Sequence, residues 1–189
     1  MNCYSFVQVR GSVPCQYANL SSRIIVKVGS SHPVFWEQQG LQTFGHKIQI
    51  TRPQASQPAF ERHFIQLVEE YGAAHAINLL GTKENEASLT AAYARSLHIA
   101  QNNMGDAIGI THFDFHNAVR LYGHDGVIGQ VRWVLFATCI LSSRSEVIIS
   151  RQEGVVDNVD KFGFTMVDSA TNDVITYQKG VFRTNCLDW

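Results

Sequence analysis

Between His46 and His116 the hydrophobic pattern changes period repeatedly, and this alternation narrows the choice of fold more than any other feature. His46 to Thr51 alternates, with Lys47, Gln49 and Thr51 set against Ile48 and Ile50, as a half-buried strand does. Arg52-Pro53 closes it, and Ser56-Gln57-Pro58 is the expected opening of a helix, with Pro58 near the first helical position. Phe60, Phe64, Leu67, Val68 and Tyr71 then form one stripe at helical spacing, with Gly72 as the expected cap. Ala74 to Leu80 is short and apolar and reads as a buried strand. Glu84 to Gln101 reads as a second helix, with Leu89, Tyr93, Leu97 and Ala100 facing inward. Ile108 to His116 reads as the next strand. Elements of these types in this order need crossover connections. The expected fold is therefore α/β, with a central mixed, largely parallel sheet flanked by helices.

The two ends add strands. Cys3 to Arg10 reads as one strand that breaks at Gly11-Ser12. Phe164 to Val167 reads as a strand, Asp168 to Asp173 as a turn, and Val174 to Lys179 leads into Val181-Phe182, a short buried strand. The polar residues Arg183, Thr184 and Asn185 then carry Cys186 to where that strand would end. Ligand loops of α/β sheets sit at such strand ends. A cysteine followed there by a loop and a helix N-terminus suits phosphate chemistry, because backbone N–H groups and the helix dipole favour anions and a thiolate.

Composition excludes several classes. The 189 residues are 45% hydrophobic and 16% charged, which fits a globular domain with a sizeable core. The net charge of −1, without a basic block, argues against a dedicated nucleic-acid binder. Cys3, Cys15, Cys139 and Cys186 form no C-x-x-C pair, so neither a zinc motif nor a redox motif is expected. Met1 to Arg10 lacks the character of a signal peptide, and the most apolar run, Val131 to Leu141, is too short to span a bilayer. The expected location is the reducing cytoplasm.

Two histidine features need weighing. His63 is expected on the surface of its helix. His112, Asp114 and His116 would share one face of a strand running through His116, as a metal-ligand trio could. Hydrogen bonding is the preferred role for that trio, because no fourth ligand is supplied.

Gln178 to Asp188 resembles the approach to the active site in Sac-domain phosphoinositide phosphatases, most closely the synaptojanin type. In that family the run continues as N-C-x-D-C-L-D-R-T-N, a C-x5-R phosphatase loop. Three upstream stretches match the family in the same order: Val9-Arg10-Gly11-Ser12-Val13-Pro14, Val34 to Gly40, and Phe113-Asp114-Phe115-His116. The resemblance implies that residues 1–189 are part of a Sac catalytic domain, interrupted at about 15–33 and 126–149 by segments foreign to the family pattern. The first interruption is either retained intron sequence or a surface loop. The second is either an extra buried strand or another unspliced segment. Asp157 to Lys161 matches the end of the family's helical linker.

The resemblance makes Cys186 the nucleophile and Asp188 a candidate proton donor. Lys179, Arg183, Asn185 and Arg10 are the candidate substrate-binding residues. It implies neither a metal nor another cofactor. The implied partner is a phosphoinositide headgroup at a membrane surface, so the protein would be cytoplasmic and peripheral to membranes. Trp189 stands where the family's second cysteine would be, and the loop arginine is not reached. Arginine binds phosphate oxygens bidentately, and losing one transition-state donor costs roughly 10²–10³ in rate. This polypeptide is therefore expected to be an inactive fragment of a phosphatase. The alternative is a pseudophosphatase that binds phosphoinositides or a partner without hydrolysis.

Overall fold

The computed structural model describes residues 2–5, 7–12, 34, 36–39, 47–82, 86–136 and 153–186. At its centre lies a four-stranded sheet of β2 (Gln8–Ser12), β9 (Val181–Cys186), β5 (Ala74–Asn78) and β6 (Ile108–His112), in that spatial order. All three pairings are parallel. The strand latest in sequence thus fills the gap between β2 and β5. Two small antiparallel sheets stand apart from it. One joins β1 (Asn2–Ser5), β7 (Thr165–Asp168) and β8 (Val174–Thr176), and the other joins β3 (Trp36–Gln39) to β4 (Lys47–Ile50).

Two expectations near the amino terminus are corrected. The single strand expected from Cys3 to Arg10 is two strands in two sheets, and Gly11-Ser12 continues β2 instead of breaking it. Pairing with β9 carries the strand through, with Gly11 opposite Asn185 and Ser12 opposite Cys186. Ladder hydrogen bonds to a central strand outweigh glycine's weak strand preference.

The long helix α1 runs Pro53–Tyr71 and starts earlier than Pro58 suggests. Pro53 takes the first helical position, and Arg52 turns the chain with φ 48° and ψ 53°. Its stripe is as the spacing predicts, with Phe60, Phe64 and Leu67 buried. Phe60 and Phe64 stack at 4.8 Å between ring centroids, and Tyr93 meets Phe60 edge-on at 5.2 Å. Gly72, at φ 89°, ends the helix by returning its N–H to the Val68 carbonyl at 2.7 Å. His63 is buried, contrary to its expected surface position, with its ring edge-on to Phe64. It occupies the flank of the apolar stripe, and an imidazole's apolar body packs there readily.

The helix α2 (Ala87–Met104) returns antiparallel to the strands and makes the β5–α2–β6 crossover. Together α1 and α2 cover one face of the parallel sheet. Phe60, Phe64, Leu67, Leu89, Tyr93 and Leu97 close over the small residues Ala74 and Ala76, with Ile108 and Val181 beside them. The opposite face is covered by α4 (Glu153–Phe162), whose Val155 and Phe162 pack on Ile77 and Phe182. Gly180 precedes β9 because a β-carbon there would overlap the Phe162 ring.

The strand expected from Ile108 to His116 stops at His112, and α3 (Phe115–Phe136) begins three residues later with a kink at Gly123. Residues 131–136 of the apolar run are therefore helical, not an extra strand, and residues 137–150 lie outside the described ones. The segment 15–33 also lies outside them.

Candidate active site

Alternation along β9 sorts its side chains into two sets. Val181, Arg183 and Asn185 face α1 and α2, while Phe182, Thr184 and Cys186 face the α4 side. Five of these six residues are buried, and Cys186, half-buried and free, is the last residue of the strand. It lies at the carboxyl end of an interior strand of the parallel sheet, opposite Ser12 of β2. That edge is where α/β folds place their ligand crevices. The sequence predicts a cysteine at a strand end, and the fold puts it there.

The loop after β5 adjoins this edge. Leu79 N–H donates to the Asn185 carbonyl at 2.9 Å, which carries the β5–β9 ladder to the level of Cys186. Gly81 N–H donates to Glu86 Oε2 at 2.6 Å, and Thr90 Oγ1 donates to the Gly81 carbonyl at 2.8 Å. Asp114 ties in the neighbouring loop. Its carboxylate accepts from Thr82 N–H and Oγ1 at 3.1 and 2.8 Å, and from Asn117 N–H at 2.9 Å. Burial pushes the Asp114 carboxyl up. The hydrogen bonds from Asn117 and Thr82, with His116 nearby, outweigh that and hold it below its ordinary value. The bond to Asn117 is an N-cap for α3. The three-residue face expected for His112, Asp114 and His116 is therefore not formed. Asp114 is a helix cap, and His116 lies 3.4 Å from Glu86.

A row of polar side chains runs across the sheet one residue before Cys186. Asn185, Asn78 and His112 are register partners on β9, β5 and β6. Asn185 Nδ2–H donates to Asn78 Oδ1, and Asn78 Nδ2 lies 3.2 Å from His112 Nδ1. Both asparagines are completely buried. Desolvation lowers the His112 pKa, which favours the neutral ring that accepts from Asn78. Sequence reasoning missed Asn78. Its one signal was an asparagine inside the run Ala74 to Leu80, which is otherwise apolar save for His75.

The remaining predicted residues scatter. Arg183 is 0% exposed and lies on the sheet face opposite the Cys186 side chain. Its Nη1 donates to the Thr184 carbonyl at 3.3 Å, while Nε and Nη2 have no hydrogen-bond partner among the described residues. The guanidinium neighbours the Tyr93 phenol, whose pKa burial raises against the opposing pull of that charge. Lys179 stands at the amino end of β9, seven residues from Cys186, or roughly 23 Å along extended chain. The structure does not bring Lys179 to the Cys186 edge. Asn185 is at that edge, but its amide is engaged with Asn78. Arg10 pairs by backbone register with Thr184. Asp188 lies outside the described residues.

On the α4 side, His75 is buried with both ring nitrogens engaged. Asn158 Nδ2 donates to Nδ1 at 3.0 Å, and Nε2–H donates to Thr111 Oγ1 at 2.8 Å. A cavity of about 280 Å³ lies beside it, lined by Ala73, Gln101, Asp106, Asn158 and Phe162 among others. It opens toward the amino ends of β5 and β6, away from Cys186.

Comparison with known proteins matches residues 25–120 to the SacI homology domain. The chain is 35% identical over 187 residues to inositol-1,4,5-trisphosphate 5-phosphatase 1 of Schizosaccharomyces pombe, covering 98% of this chain and 13% of that protein. It is 33% identical over 188 residues to polyphosphatidylinositol phosphatase INP53 of Saccharomyces cerevisiae, with the same 98% and 13% coverage. It is 31% identical over 185 residues to synaptojanin-1 of Mus musculus, covering 97% of this chain and 9% of that protein. The chain thus spans 13% or less of the length of these relatives. With a half-length family match, these similarities and a cysteine-tipped strand inside a parallel sheet, this chain belongs to the SacI homology domain family.

Proposed function

We propose that this chain carries the nucleophile-bearing part of a phosphoinositide phosphatase catalytic domain, with Cys186 as the attacking group. One observation carries the reading: Cys186 ends an interior strand of the parallel sheet, at the edge where a following loop would cradle an anion. The named activities of the relatives, on inositol phosphates and phosphatidylinositol phosphates, supply the substrate class.

In the proposed reaction, Cys186 Sγ as thiolate bonds to phosphorus while the phosphorus–oxygen ester bond breaks. The leaving inositol oxygen takes a proton from an acid, for which Asp188 is the candidate. Loop N–H groups and the family's arginine hold the non-bridging oxygens as charge shifts. Water then displaces the cysteine and phosphate leaves. Because the lipid substrate stays in its leaflet, the site works at a membrane surface. Among the described residues no helix is long and apolar enough to cross a membrane.

Two measurements test this. Reading the locus downstream should find the C-L-D-R-T-N continuation in frame. The full-length product should release phosphate from vesicles containing phosphatidylinositol phosphates, and Cys186→Ser should abolish that release. Undiminished release by Cys186→Ser would sink the reading.

A further inference from the structure

The row of Asn185, Asn78 and His112 has a stereochemical direction. Asn185 Nδ2–H points to Asn78 Oδ1, so Asn78 must present its own Nδ2–H to the other side, where His112 Nδ1 lies at 3.2 Å. Reversing the Asn78 amide would set its donor against the Asn185 donor, and reversing the Asn185 amide would set two acceptor oxygens together, so the side chains orient one another. The same level is fixed by the main chain. The Asn185 carbonyl accepts from Leu79 N–H, and the Asn78 carbonyl accepts from Phe113 N–H at 2.8 Å. Toward the amino ends of the same strands, the matching positions are Val181, Ala74 and Ile108, all apolar. An apolar trio in place of the row would seal the layer at little or no cost, since replacing both partners of a buried hydrogen bond by apolar groups is nearly neutral. What apolar residues cannot supply is a fixed direction for the last turn of backbone before Cys186.

We propose that Asn78 and His112 are positioning residues for Cys186. His112 sets the orientation of the Asn78 amide, Asn78 holds Asn185, and Asn185 sets the height and angle at which the next residue leaves the sheet. The proposal rests on Cys186 being the nucleophile. A nucleophile displaced by about 1 Å loses on the order of 100-fold in rate, so a device at this spot governs kcat more than binding.

The test uses the full-length protein, vesicles containing phosphatidylinositol phosphates, and thermal unfolding alongside kinetics. Folded Asn78→Leu is expected to lower kcat by about 10- to 100-fold with KM unchanged. His112→Leu is expected to lower kcat by about 10-fold, and His112→Gln, which offers an acceptor oxygen, to restore most of it. A purely structural role would shift the unfolding midpoint without a kcat-specific loss or glutamine rescue. If Asn78→Leu fails to fold, the two His112 variants decide, since that ring lies at the end of the row. Unchanged kcat in folded Asn78→Leu, or equal kcat for His112→Gln and His112→Leu, would overturn the proposal. If Cys186→Ser abolishes release while the row variants are inert, only the positioning role fails. If Cys186→Ser stays active, the nucleophile reading fails with it.

Discussion

Single residues in this sheet carry more buried polarity than a parallel core usually tolerates. Arg183, Asn185, Asn78 and His75 are all within or against it. Arg183 marks where sequence reasoning reached its limit. An arginine near a strand end reads naturally as a surface cation, and nothing local announces that its guanidinium lies under α2 beside Tyr93. Its burial is decided by the strand's central place, which is a property of the whole sheet. His75 offers a measurable consequence of such burial. Desolvation lowers its pKa from 6.5 to about 4, so it is neutral in the folded protein. In the unfolded chain it titrates near the ordinary imidazole value of ~6.5. The unfolded state therefore takes up the proton first as pH falls. Stability from this group is complete above about pH 6.5 and is lost toward about pH 4. Thermal midpoints recorded from neutral to acidic pH should fall more steeply for the native protein than for His75→Gln. Parallel curves would contradict the assignment.

Elements were largely legible because their periods are clean. The stripe of α1 and the inner face of α2 follow from spacing alone, and so do the buried strand β5 and the turn between β7 and β8. Boundaries failed where two signals competed. Pro53 reads as the end of the strand and Pro58 as the opener of α1, yet Pro53 takes the first helical position and Pro58 lies inside the helix. At β6 the alternation of residues 112–116 mimics a strand, yet Asp114 ends the run by capping α3. That cap gives a prediction at this scale. Asp114→Ala removes the N-cap of α3 and both bonds to Thr82, and is expected to cost about 1–2 kcal/mol in chemical denaturation. Asp114→Asn, which can still accept from Asn117 N–H, should recover part of it. A loss below about 0.5 kcal/mol would show that the cap matters little.

At the scale of the molecule, the sequence announces a largely parallel sheet but not its strand order. Periodicity reports which residues are buried, and it is silent about which strand lies beside which. The observed order β2-β9-β5-β6 makes β9 the keystone, bonded on both sides. Removing residues 181–189 should therefore abolish cooperative unfolding, because β2 loses its only partner strand among the described residues and β5 loses one neighbour. A truncated chain that kept a sharp thermal transition would contradict this. The arrangement also bears on biosynthesis. A ribosome delivers β2, β5 and β6 long before β9, so the emerging chain holds an open slot whose unpaired edges must be kept from other polypeptides. The segment that fills it ends in Cys186, so the proposed nucleophile takes its place in the same step that pairs β9 on both sides.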